Sequence, residues 1–125
     1  MRTLLLLSAL ALFACGEDHG PNMRPGENCK GCHNNFSLAG TVFPGAQAQA
    51  SEGLAGVTVT VGDSAQKTLS LTTNSVGNFY SEDALTWPAS ITLALGTRTA
   101  NMPSAPSGAC ASCHNTAGQG RVYLP

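Results

Sequence analysis

Gly56-Val57-Thr58-Val59-Thr60-Val61-Gly62-Asp63 is the stretch on which the fold turns. Valines at 57, 59 and 61 alternate with threonines at 58 and 60, a period of two that puts methyl groups on one side of an extended chain and hydroxyls on the other. Leu54 precedes the run, and β-branched residues fill it, as a pleated, half-buried strand favours. The same alternation returns at Leu69, Leu71 and Thr73, and again at Ile91, Leu93 and Leu95 against Thr92 and Ala94. Turn formers separate these runs: Pro44-Gly45, Gly62-Asp63, Asn74-Ser75-Val76-Gly77-Asn78 and Trp87-Pro88. Strands are expected over 38–43, 56–62, 67–73, 78–81, 90–95 and 121–124. No long amphipathic helical pattern follows residue 15. The fold class read from this is mainly β: a small antiparallel sandwich flanked by two loop or short-helix segments.

The 125 residues suffice for one modest domain, and a formal net charge of −1 lacks the basic excess that nucleic acid or an anionic membrane surface requires. Charged residues make up only 10% of the chain and apolar ones 42%, but much of that apolar content is concentrated before residue 16. Beyond that point Leu, Ile, Val and Phe number 18 in 110 residues, about 16%, under the roughly 20% at which disorder enters consideration. The low net charge argues against disorder. A core this lean needs reinforcement, and five cysteines offer it.

The first cysteine belongs to an export segment. Met1-Arg2-Thr3 and the apolar run Leu4 to Ala14 read as a secretory signal, too short for the roughly 20 residues that span a bilayer. Leu12-Phe13-Ala14-Cys15 resembles the bacterial lipobox, which implies cleavage before Cys15 and its acylation. Gly16 rather than Asp follows that cysteine, and the resemblance then favours the outer membrane, on its periplasmic or surface face. The organisation expected is therefore a lipoprotein signal over 1–14, a Pro/Gly-rich flexible tether over 15–26, and one domain over 27–125.

The remaining four cysteines fall in Cys29-Lys30-Gly31-Cys32-His33 and Cys110-Ala111-Ser112-Cys113-His114. Both are C-x-x-C-H, the attachment pattern of c-type haem: two thiols a turn apart reach two vinyl groups, and the next residue, histidine, becomes the proximal iron ligand. The flanks match too. Asn22-Met23, Pro25 and Gly26 precede the first motif, Asn101-Met102, Pro103 and Gly108 the second, and Asn34 and Asn115 follow. Two haems c are thus expected, held by Cys29, Cys32, Cys110 and Cys113, with His33 and His114 on the irons. The chain has three histidines, so two bis-histidine haems cannot form within it. Met23 and Met102 are the repeat-equivalent sixth ligands, with His19 or an open iron as alternatives. Trp87 reads as a packing ring, and Arg98 and Arg121 as surface charges or propionate partners. Residues 96–109 read as a Pro/Gly/Ser-rich linker that can extend about 45–50 Å and return the second motif beside the first. A four-thiolate zinc site, disulfides and a thioredoxin-type redox motif are the other readings of the cysteines.

Ala39-Gly40-Thr41-Val42-Phe43, Gly53 to Val61 and Thr72 to Tyr80 together resemble the carboxypeptidase-regulatory-like, or transthyretin-like, β-sandwich family over residues 38–95. The resemblance implies a seven-stranded, non-catalytic module. Joined to the haem motifs, it points to exported haem lipoproteins with a sandwich spacer. The function expected is single-electron transfer at the bacterial envelope without enzymatic turnover, with envelope redox proteins, including multihaem cytochromes, as partners. The alternatives are an envelope module braced by zinc or disulfides, and a small haem peroxidase or gas sensor.

Overall fold

A computed structural model describes residues 20–125. The signal segment, the acylation site Cys15 and His19 lie outside the described residues. Within them run six strands: β1 (Leu38–Thr41), β2 (Thr58–Asp63), β3 (Thr68–Thr72), β4 (Asn78–Ser81), β5 (Ala89–Leu95) and β6 (Arg98–Ala105). They form two antiparallel sheets, β1-β4 and β3-β2-β5-β6, which share one apolar core. The fold is a small, mainly β sandwich, as the alternation predicts. Among the described residues there is no α-helix, and none of the three 3₁₀ turns exceeds three residues. No helix there is long and apolar enough to cross a membrane.

The opening stretch behaves as its pattern requires. Val57, Val59 and Val61 are fully buried, while Thr58 is exposed and Thr60 half-buried. β2 pairs on both sides, Val59 with Leu71 and with Leu93, so its valines meet Ile91 and Leu93 on the same face. Each buried Val contributes about 1.5–3 kcal/mol of apolar transfer. Leu38, Val42, Phe79 and Leu124 close the core from the other side.

Two sequence expectations are corrected. Residues 98–105, inside the stretch read as a linker, form the longest strand, and β5 joins β6 through the two-residue turn Gly96-Thr97. Gly96 has φ +61° at the first turn position, the conformation a Gly-X hairpin needs. Pro103 is tolerated because β6 is an edge strand. Residues 121–124 are not a strand. Only an isolated parallel bridge, Phe43 to Tyr123, forms there, with Phe43 N–H donating to the Val122 carbonyl and Leu124 N–H to the Phe43 carbonyl.

Asp63 ties the β2–β3 turn to the approach of β5. Its carboxylate accepts from the amides of Thr86 (2.9 Å), Lys67 (2.8 Å) and Ala65 (3.0 Å). The Thr86 bond above all, then the other two amides and the Lys67 charge, hold this carboxyl below its ordinary value of 3.8 against the opposing effect of desolvation. A depressed folded-state value stabilises the fold above the unfolded one and loses that contribution as pH falls through the folded one. The urea midpoint is therefore expected to fall below pH 3.8 in the native chain. Asp63→Asn should lack that component of the acid response, and parallel curves for the two proteins would refute the role.

Candidate functional site

The two cysteine motifs fold identically. Cys29–Gly31 and Cys110–Ser112 are 3₁₀ turns. In each, the histidine amide donates to the carbonyl of the first cysteine at 2.9 Å, and the second cysteine's amide donates to the same oxygen, at 3.2 Å in the first motif and 3.3 Å in the second. The first cysteine's Sγ lies 3.7 Å from the carbonyl two residues earlier in both, Glu27 and Gly108. A two-residue spacer thus places two sulfurs and one imidazole around one turn.

Short as it is, β1 carries both motifs. All four of its residues are buried, because one side faces the core and the other lies under the turns. Lys30 Nζ reaches the Ser37 carbonyl at 3.5 Å. Ala39 N–H donates to the Gly108 carbonyl at 2.9 Å, and Ala39 bridges Ala109. A Cβ on Gly108 would overlap the Ser37 carbonyl and lie 2.8 Å from Leu38 Cα, so only glycine allows the second motif this approach.

Each turn opens onto a cleft. The first, about 280 Å³, is lined by Cys29, Cys32 and His33 together with Met23, Phe79 and Tyr80. The second, about 320 Å³, is lined by Cys110 and His114 with Met102, Ile91, Leu93 and Phe79. The second lies at the lower end of small-molecule sites, about 300–1,000 Å³, and the first just below it. The structure therefore groups each sequence-predicted methionine with its own motif: Met23 with His33, Met102 with His114. The devices differ. Asn78, buried, donates from Nδ2 to the carbonyls of Pro21 (3.1 Å) and Met23 (2.9 Å), and its Oδ1 accepts from Thr41 Oγ1 at 2.7 Å. Thr41 Oγ1 in turn accepts from Gly26 N–H at 2.8 Å, so the chain over 21–26, read from composition as the end of a tether, is fastened to the sandwich. Met102 is instead a strand residue of β6, opposite Ile91.

The histidines are held differently as well. His114 Nδ1 lies 3.2 Å from the Gly120 carbonyl. A carbonyl only accepts, so Nδ1 carries the proton and Nε2 keeps its lone pair, the arrangement of a metal-ligating histidine. His33 stacks on Phe36 at 4.6 Å between ring centroids, and Phe36 stacks on Tyr80 at 4.9 Å. Tyr80 and Tyr123, the large apolar residues exposed among the described ones, stand one at each cleft.

Thiol chemistry tests which group these residues fit. Burial pushes the Cys29 thiol up, and it pushes Cys110 up to about 12. A thioether is neutral and suits such surroundings. Among the described residues no three or more His, Cys, Asp or Glu converge as a metal-binding group. Cys29, Cys110 and Cys113 are free thiols, and Cys32 is disulfide-bonded.

Trp87 packs against the core. Arg98 donates to the carbonyls of Leu124 and Pro125, both at 2.8 Å. Arg121 donates to those of Ala48 (3.1 Å) and Gly26 (3.4 Å) and lies over the Phe43 ring. Both arginines are thus engaged within the chain. Asn78, Phe79 and Tyr80 are site residues that sequence reading assigned only to a turn and a strand, with no local signal of which cleft they would wall. No protein-family model, curated protein or solved structure matches this chain.

Proposed function

We propose that this chain is an electron-transfer protein of the bacterial envelope with one c-type haem in each cleft, anchored through acylated Cys15. The observation that carries the reading is the doubled geometry: two C-x-x-C-H turns of one conformation, each opening on its own apolar cleft with a methionine in the wall. Cys29 and Cys32 would hold one haem, with His33 and Met23 as ligands; Cys110 and Cys113 the other, with His114 and Met102. Bound haem supplies a one-electron iron couple, and methionine ligation raises its potential. The chain's own tasks are to hold the sulfurs and imidazoles in place, exclude water and present an accessible edge to redox partners. His114 is already in the required tautomer through Gly120. Attachment at Cys32 requires its thiol, so the disulfide there must first be reduced by a thiol reductant.

The disulfide at Cys32 favours a second reading, a haem-free envelope module with cystine at that position. Production in a host with c-type haem maturation separates the two. Two haems per chain are expected by haemochrome assay, falling to one when Cys29 and Cys32, or Cys110 and Cys113, are changed to Ser. Met23→Ala and Met102→Ala should each remove about half of the long-wavelength band that marks methionine on ferric iron. A colourless protein with four unmodified cysteines would refute the haem reading.

A further inference from the structure

Phe79 is 3% exposed in the middle of β4, yet it lines both clefts. Strand pairing sets it opposite Gly40. A Cβ at Gly40 would come 2.7 Å from Phe79 Cζ and 3.0 Å from Cys110 Cβ, so the ring and the second motif meet over this one glycine. The first motif reaches the same place from the other direction: Lys30 donates to the carbonyl of Ser37, just before β1, and two residues on the Ala39 amide donates to the Gly108 carbonyl that leads into the second motif. The clefts are therefore neighbours across a single aromatic ring.

We infer that Phe79 is a shared partition that positions the two haems as an interacting pair rather than as two independent centres. This rests on reading the clefts as haem sites. An intense electronic transition on one side of such a wall couples to its counterpart on the other, and the fixed geometry gives the coupling a handedness. Phe79 acts by position, as a wall common to both sites, and a change there reaches both.

Soret circular dichroism of the intact protein tests the pairing against two single-haem variants, Cys29→Ser with Cys32→Ser, and Cys110→Ser with Cys113→Ser. The intact protein should show two lobes of opposite sign centred on the Soret absorption, and the sum of the single-haem spectra should lack them. A spectrum equal to that sum overturns the pairing. Phe79→Leu, placed in each single-haem background, should shift the Soret dichroism of both; Phe36→Leu, whose ring lines the first cleft, should shift that of the first haem alone. An effect of Phe79→Leu on one site only overturns the shared partition. Two haems per chain with additive spectra bring down the pairing and leave the functional reading standing. Absence of haem brings down both.

Discussion

Phe43→Ala is expected to cost about 3–5 kcal/mol, the range for deleting a buried aromatic ring. Phe43 is among the largest fully buried side chains, at 1% exposure. Its amide and carbonyl bond to Val122 and Leu124, its ring lies 4.5 Å beneath the Arg121 guanidinium, and its edge approaches Gly26. The ring thus joins the segment after β1, the C-terminal segment and the chain leading to the first motif. Against a net stability of about 5–15 kcal/mol for a domain, such a loss leaves little reserve. The urea midpoint should fall sharply with an unchanged slope, and Phe43→Leu should recover most of it. A midpoint within error of the native one would show that the C-terminal segment does not depend on this ring.

Gly108→Ala should cost about 3 kcal/mol, the upper end of ordinary overpacking, because the new methyl meets backbone that cannot rotate aside. Ser37 and Leu38 stand in its way. The loss should be local as well as global. On the haem reading proposed above, lifting the second motif from β1 should lower haem content towards one per chain while the first motif keeps its own. Equal haem content in the variant and the native chain, with an unchanged urea midpoint, would refute the close approach at Gly108.

The alternation of Val57, Val59 and Val61 was enough to read the sandwich, since period two has one stable outcome when one face is apolar. β6 escaped for an instructive reason. Its composition, with Pro103, Ser104 and Asn101, resembles a loop, and its apolar positions, Ala100 and Met102, are small or flexible. The usable signal was the pair Gly96-Thr97 after a strong strand, a hairpin turn that obliges the following residues to pair. At the sites, the cysteines and histidines were legible because their spacing is local. The residues that wall the clefts were not, because Asn78 and Phe79 reach the motifs only through pairing of β1 with β4, a contact across some 40 positions. Gly26 and Gly108 stood out in the repeated flanks, but not for the reason that matters: each brings its segment against β1.

That strand also sets an order of events during assembly. β1 cannot pair until β4 has been made, and it cannot be covered until Gly108 and the second turn arrive from near the chain's end. Contacts between such distant positions form slowly. Throughout that interval both cysteine motifs lie in open chain, with their sulfurs accessible to covalent modification. Closure over β1 then half-buries Cys29 and Cys110 and leaves Cys32 and Cys113 exposed, so four residues set when the first cysteine of each motif is covered.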